Sequence, residues 1–341
     1  MDIRREVPLA GFNTLALPGR AEYFCEVGRE EHLREALSFA RGGNLPVTVL
    51  GGGSNVVLAG DIPGLVVRMG LAGIELLADD GDQVQVRIAA GENWPDLVQT
   101  TLDRGWYGLE NLSLIPGCAG AAPIQNIGAY GVELSDHFVS LQAVAVDSGE
   151  TVRMSASDCR FGYRDSVFKG ELAGRLVITA ITLSLSRIPR LRLDYPELNR
   201  ALADCANPSP VALSEAVCRL RRAKLPDPAR LANAGSFFKN PVVDSESLQR
   251  LRDKYPDMPW YPLAEGGKIP AAWLIEKAGW KGRRQGSVGV HDRQALVLIN
   301  YGGASGEELL GLAREIAGDV RRRFGIALEI EPRILGAAEP G

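Results

Sequence analysis

The sequence predicts an α+β protein of two domains, on three observations. Strand-like segments dominate the first 186 residues, a proline-rich stretch at 188–210 breaks the pattern, and the rest mixes strands with helices. A length of 341 residues allows two or three domains at roughly 100–200 residues each. Each could bury a core without disulfide or metal staples.

The elements follow in order. PVTVLGGGSNVVLA at 46–59 is apolar, then Gly-rich, then apolar again, which predicts two strands hinged on a loop. QVQVRIAAG at 83–91 alternates polar and apolar residues and predicts a half-buried strand. A short helix is expected over 94–104 with Asn93 as its N-cap. Residues 139–155 predict a hairpin turning at 147–150, and 175–186 a further strand. The stretch 188–210 holds prolines at 189, 196, 208 and 210 and reads as a connecting segment. Beyond it, 211–225 predicts a helix stopped by Pro226, and 235–243 and 294–300 predict strands. Residues 306–325 carry Leu309, Leu312, Ala313, Ile316 and Val320 at helical spacing, a Ser305/Glu308 capping box and a closing Gly325. A final strand is expected over 326–335.

Composition removes several functions. A net charge of −4 argues against a chain that wraps nucleic acid or coats an anionic membrane. Five scattered cysteines without a C-x-x-C pair make neither a disulfide framework nor a zinc site, so a reducing compartment is expected. His32, His137 and His291 show no metal-ligand spacing, and no metal is expected. The first residues lack the apolar core of a secretion signal, and no window approaches ~18 continuous apolar residues. A soluble, cytoplasmic chain is expected, and a monomer, since no long apolar surface helix stands out.

Six motifs could carry chemistry. Gly51-Gly52-Gly53-Ser54-Asn55 can turn several backbone N–H groups toward one anion, typically a phosphate. It is not a Rossmann fingerprint, because strand follows it. Taken alone, a Gly-rich hairpin turn is its commoner meaning. Residues 111–131 hold four Gly and two Pro with almost no charge, as close backbone approach to a bulky ligand requires. Gln125 and Asn126 add uncharged donors and acceptors there. Together the two motifs point to a pyrophosphate-bearing cofactor, against a buried structural loop. Phe161–Ser166 places Arg164 beside Tyr163 and Asp165, either as a fixed cation for a developing oxyanion or as a surface ion pair. Residues 233–241, NAGSFFKNP, deliver Ser236 onto an aromatic strand, as a proton donor or as a turn cap. Arg219, Arg221, Arg222 and Lys224 close a helix. Phosphate would suit them, but a solvated face is the better reading for the arginines. Glu329 and Glu331 share a face of the last expected strand, one toward a site or both as edge charges.

At these residues the chain resembles the UDP-N-acetylenolpyruvoylglucosamine reductases, in the longer form of that family. The resemblance runs in order through GFNTLALPGRAEYF, LGGGSNVVL, NLSLIPGCAGAAPIQNIGAYGVE, FGYRDSVFK, AKLPDP, NAGSFFKNP, WLIEKAG, HDRQALVLIN and LEIEPRILG. It implies an FAD-binding region of the vanillyl-alcohol-oxidase (PCMH) type over 1–187, with a subdivision allowed near residue 65. A connecting segment at 188–210 and a smaller α+β substrate-binding domain over 211–341 would follow.

The resemblance further implies FAD held non-covalently and NADPH as co-substrate. The pyrophosphate would lie on Gly51, Gly52, Gly53, Ser54, Asn55, Ile115, Pro116, Gly117 and Gly120, with Gln125, Asn126, Gly128 and Tyr130 nearer the flavin. UDP-N-acetylglucosamine enolpyruvate would be reduced for peptidoglycan precursor synthesis. Arg164 and Glu331 would stabilise the intermediate, and Ser236 would protonate C2. Tyr163, Tyr195, Lys224, Asn240 and Gln294 would hold the substrate. Residues 121 and 122 are alanines where many relatives carry hydroxyls, Pro332 follows Glu331, and Cys118 in the flavin loop reads as a small apolar residue. The alternatives are another FAD-dependent oxidase or dehydrogenase of the same fold, and a non-catalytic nucleotide-sugar binding protein.

Overall fold

The computed structural model describes residues 1–336. The last residues of the expected C-terminal domain, 337–341, lie outside the described residues. Cα proximity divides the chain into two units. The first comprises Met1–Val7, Ala21–Gly53 and Ile62–Ala223, and the second Pro8–Arg20, Ser54–Asp61 and the chain from Lys224 onward.

The first unit carries two sheets. Arg20–Val27, Ile62–Met69 and Val47–Leu50 run parallel, with Arg4–Pro8 at the edge. Helix Glu30–Gly42 buries Leu33, Ala36, Leu37 and Ala40 in one core with Cys25, Val27, Leu65 and Val67 of this sheet. That 3.6-residue stripe had no counterpart among the expected elements. The second sheet is antiparallel, ordered Thr151–Ser155, Phe138–Ala145, Leu176–Ser186, Gln83–Ala89, Ile74–Asp79. In its centre Ile181 lies opposite both Ile88 and Leu141, and all three are buried. Helix Trp94–Asp103 packs Trp94, Leu97 and Val98 into the same core, and the Asn93 side chain accepts the Asp96 N–H at 3.1 Å.

The second unit is built on an antiparallel sheet ordered Ala232–Ser236, Val297–Asn300, Val288–Val290, Arg284–Gln285. Helix Gly306–Phe324 buries Leu309, Leu312, Ala313, Ile316, Val320 and Phe324. Its first residue admits no side chain, since a Cβ on Gly306 would meet the Leu58 carbonyl oxygen at 1.8 Å. Strand Val56–Leu58 pairs in parallel with Arg333–Leu335, which ties residues 54–61 to this unit.

Four expectations differ from these observations. The strands flanking the glycine run do not pair with each other, so 51–55 is not a hairpin turn. The segment 188–210 is more than a connector. It contains helix Pro196–Ala201, whose Leu198 is buried together with Leu202 against Leu213, Ala216 and Val217 of helix Pro210–Lys224. Tyr130 packs on this cluster, and Asn111 bonds Arg192 O at 3.0 Å and Ser113 bonds Ser214 at 2.8 Å, so the chain up to Ala223 groups with the first unit, whereas a domain start at 211 was expected. The strand expected over 235–243 instead spans Ala232–Ser236 and resumes as Val242–Val243. The last strand is only Arg333–Leu335, because Pro332 has no N–H to pair and interrupts the run.

Candidate active site

The expected site residues fall into two sets, one in each unit. In the first unit the glycine run and the 111–131 segment meet backbone to backbone. A Cβ on Gly52 would lie 3.0 Å from Gly117 Cα, one on Gly51 would lie 2.3 Å from Cys118 Sγ, and one on Gly120 would lie 2.5 Å from Ala90 Cβ. The loop is pinned from beneath: Trp94 N–H donates to Gly117 O at 3.0 Å, Ala119 N–H to Glu92 O at 2.8 Å and Gly120 N–H to Ala90 O at 2.8 Å. Segment 111–131 is therefore ordered, with a 3-10 turn at Ala119–Gln125 and strand Gly128–Ala129 paired to Val132–Glu133. Pro116 and Gly52 are exposed, so this small-residue face opens to solvent. Burial pushes the Cys118 thiol above its ordinary value, against the N–H groups of Ala121, Gly52 and Gly120. An inert, apolar role for that cysteine follows.

Side chains then gather around the Gly128–Tyr130 strand. Asn126, at φ +45°, donates to Glu133 at 2.7 Å and Gly162 O at 3.2 Å and accepts Ser135 N–H at 3.0 Å. Its amide is thus committed to holding the loop. Arg164, at φ +53°, donates to Gly128 O and stacks over Tyr163 at 5.4 Å. Tyr130, at φ +49°, sets its ring edge-on to Tyr195 at 5.2 Å, while Asn111 Nδ2 donates to Tyr130 O at 2.9 Å and Arg192 O at 3.0 Å. The second and third motifs are thereby one structure, and they include Tyr195 from the segment expected to be a connector.

The same surroundings contain a group the sequence reading assigned to solvent. Arg219 and Arg222 are exposed, but Arg221 is half-buried and its Nε is buried without a hydrogen-bond partner. A signal was available. Arg221 follows Leu213 and Val217 at i+4 steps, so it continues the buried stripe of its helix.

In the second unit, Asn233 shapes the serine loop. Its Nδ2 donates to Pro226 O at 3.1 Å and Leu231 O at 2.7 Å, and its Oδ1 accepts Gly235 N–H at 2.8 Å. Gly235 at φ +70° then turns the chain so that half-buried Ser236 begins the next segment. Phe237 and Phe238 are buried edge-on to each other at 5.5 Å and anchor it. Phe237 N–H donates to Leu296 O at 2.8 Å, and Phe237 O accepts Glu331 N–H at 2.9 Å. Ser236 and Glu331 thus lie on adjoining backbone. Glu329 is mostly exposed and pairs with Lys239 at 2.5 Å, and its O accepts Lys239 N–H at 2.9 Å, whereas Glu331 is half-buried.

Asn240 Oδ1 accepts Ala271 N–H at 2.9 Å. Gln294 Oε1 accepts Leu296 N–H at 3.4 Å. His291, 4 % exposed, accepts Gln294 N–H on Nδ1 at 3.2 Å, so its role is to fix that turn. Lys224 is half-buried, and Ser54 and Asn55 belong to this unit together with strand Val56–Leu58. Among the described residues, no group of three or more His, Cys, Asp or Glu side chains could hold a metal ion, and no helix is long and apolar enough to cross a membrane.

Similarity to known proteins gives these two sets a chemistry. A curated UDP-N-acetylenolpyruvoylglucosamine reductase of Chromobacterium violaceum is 50% identical over 339 residues, 98% of this chain and 99% of that protein. The chain belongs to the UDP-N-acetylenolpyruvoylglucosamine reductase family. The reductase of Pseudomonas aeruginosa is 49% identical over 337 residues, 98% of this chain and 99% of its own. Residues 227–335 match the C-terminal domain of the family, and residues 21–155 match an FAD binding domain. Among solved structures, the Thermus caldophilus reductase superposes with a TM-score of 0.70 at 24% identity, over 98% of this chain and 99% of that one. A 6-hydroxy-D-nicotine oxidase of Arthrobacter nicotinovorans shares the fold, with a TM-score of 0.50 at 16% identity, over 91% of this chain and 82% of its own.

The chain is therefore an FAD-binding oxidoreductase of α+β fold with the family's C-terminal domain. The first unit fits the cofactor. Its glycines leave a face without Cβ atoms, lined by backbone, of the kind a pyrophosphate needs.

Proposed function

We propose that this chain reduces UDP-N-acetylglucosamine enolpyruvate to UDP-N-acetylmuramate, with NADPH as the electron source. The observation that carries this reading is the 50% identity to the Chromobacterium reductase along essentially the whole of both chains. Gly51, Gly52, Gly53, Gly117 and Gly120 would hold the FAD pyrophosphate, with Ser54, Asn55, Ile115 and Pro116 beside it and Gln125, Gly128 and Tyr130 toward the flavin. FAD held there would supply two-electron, hydride-level chemistry between NADPH and the vinyl carbon C3.

The protein's own task is then C2, which acquires carbanion character conjugated with the carboxylate. Arg164 offers a fixed cation to that carboxylate. Glu331 helps as a hydrogen-bond donor when protonated, or by orienting a neighbour. The Ser236 hydroxyl gives its proton to C2. It is a weak acid, but a positioned donor suffices against a strongly basic carbon. Tyr163, Tyr195, Lys224, Asn240 and Gln294 would bind the sugar nucleotide. The same reading has the protein act as a monomer in the cytoplasm, a compartment suited to its free cysteines.

The test is anaerobic. Purified protein should be yellow, NADPH should bleach it, and the enolpyruvyl substrate should restore the oxidised spectrum. Ser236→Ala should bleach at the wild-type rate and recover about 10²–10⁴-fold more slowly. Protein that stays colourless after FAD addition sinks the flavoenzyme reading. Near-normal recovery in the variant removes Ser236 from proton donation.

A further inference from the structure

We propose that His291 is a positioning residue for Gln294, its neutral imidazole holding the 291–297 turn in the form that binds the sugar nucleotide. The inference rests on the substrate proposed above and deepens that reading, since it names what fixes one of the binding side chains.

The argument begins with the direction of the hydrogen bonds. His291 Nδ1 accepts two backbone N–H groups, from Arg293 at 3.4 Å and from Gln294 at 3.2 Å. A ring nitrogen that accepts carries no proton, so the neutral ring keeps its proton on Nε2. Nε2 lies 3.4 Å from Asp292 Oδ1, which is the acceptor this tautomer requires. The residue is 4 % exposed, so bulk water is poorly placed to replace these bonds.

The turn held in this way reaches both parts of the second-unit set. His291 N–H donates to Val297 O at 2.9 Å, and Val297 N–H donates to Gln294 O at 3.0 Å, which closes the turn on itself. Gln294 Oε1 accepts Leu296 N–H at 3.4 Å. Phe237 N–H in turn donates to Leu296 O at 2.8 Å, and Ser236 lies opposite Val297 in the sheet. One imidazole therefore braces the backbone of Gln294 and the strand on which the serine segment lies.

Protonation reverses the bond. A proton on Nδ1 turns the acceptor into a donor facing two N–H groups, and the turn loses its brace. Burial lowers His291 below the ordinary imidazole value, Asp292 opposes that shift and Arg293 adds to it. The strands on either side, Val288–Val290 and Val297–Asn300, bring no titratable side chain. Lys239 of the serine segment is paired with Glu329. Helix Gly306–Phe324 packs on the same strands, and its Glu315 and Asp319 accept bonds from Gln285 and Trp280. Substrate affinity should therefore fall in acid through His291, a dependence that the glutamine side chain, which does not titrate, cannot supply.

The experiment uses FAD-loaded protein and the enolpyruvyl sugar nucleotide, with binding read from the change it causes in the flavin spectrum. The wild-type dissociation constant should rise about 3–10-fold between pH 8 and pH 5, the size of one lost hydrogen bond. His291→Asn offers an amide oxygen to the same N–H groups and does not titrate. It should bind within about twofold of wild type at pH 8 and keep that affinity at pH 5. His291→Phe keeps a ring but loses the acceptor, and should bind about 3–10-fold more weakly at both pH values. In a Gln294→Ala background the same change should cost less than about twofold more, because it acts through that side chain.

A wild-type constant that stays flat from pH 8 to pH 5 overturns the proposal, as does a His291→Asn variant that titrates like wild type. So does a His291→Phe loss that adds in full to that of Gln294→Ala, the result of a general loosening of the unit. If His291→Phe does not fold, the asparagine variant and the wild-type pH series decide without it. Wild-type flavin that the enolpyruvyl substrate never reoxidises at pH 8 overturns the reaction itself, a failure separate from any change of affinity with pH.

Discussion

Gly120 occupies a place where one methyl group has no room. A Cβ there would lie 2.5 Å from Ala90 Cβ and 3.0 Å from Ala90 Cα, and Gly120 N–H is bonded to Ala90 O. The backbone cannot yield without releasing that bond, so Gly120→Ala should cost about 1–3 kcal/mol through overpacking. It should also widen the cofactor face and lower FAD affinity. Gly42, in the last turn of helix Glu30–Gly42, has nothing within 4 Å of the same atom, so Gly42→Ala should leave stability unchanged or raise it by up to about 1 kcal/mol. Thermal melts and flavin retention on dialysis check both, and equal behaviour of the two variants would discard the close-packing account. At this scale the sequence showed that glycine was needed, but not that Ala90 and Cys118 are what exclude a side chain.

Helix Gly306–Phe324 shows how much local sequence can settle. Ser305 accepts Glu308 N–H at 3.2 Å, Glu308 accepts Ser305 N–H at 2.7 Å, and Gly325 at φ +72° ends the helix. Each contact is local, so Ser305 and Glu308 were enough to place the start and Gly325 the end. Ser305→Ala should cost about 1 kcal/mol, and the melting midpoint of the second unit should fall by about 2–4 °C. An unshifted midpoint would show that burial of the helix face alone fixes its start. Other elements were not legible in this way. Val47–Leu50 and Val56–Leu58 look alike in sequence, yet one joins a parallel sheet with Ile62–Met69 and the other pairs with Arg333–Leu335. Pairing between residues hundreds of positions apart leaves no local trace.

Across the whole molecule, half-buried His137 and buried His291 set a pH response. Burial lowers His137 in the first unit, and burial likewise lowers His291 in the second, where Asp292 opposes the shift. A lowered folded value means the unfolded chain binds protons first as pH falls below about 6.5. Stability is therefore fully present above that pH and is lost as pH falls toward the folded values. The lowered carboxylates, Asp79 bound to Arg187 and Glu308 in its cap, act in the same direction only in more acidic solution. Urea midpoints at pH 7.5, 6.5 and 5.5 should fall in that order, and a His137→Gln/His291→Asn variant should show a flatter slope. An equally steep slope in the variant would assign the response to other groups.

The sequence by itself determined the α+β class, the capped helices, the strand periods and the motifs that carry the family likeness, because each depends on residues a few positions apart or on whole-chain similarity. Only the tertiary structure decided that the glycine run is no hairpin, that residues 188–210 pack with the first unit, and that Glu329 pairs with Lys239 while Glu331 adjoins the serine strand. Arg221 marks the boundary between the two kinds of knowledge. Its i+4 spacing from Val217 is written in the chain, but the burial of its Nε and the like charge of Arg164 acting on it arise only when Tyr130 and Arg164 arrive from distant segments. Burial is a property of neighbours, and neighbours come from the fold.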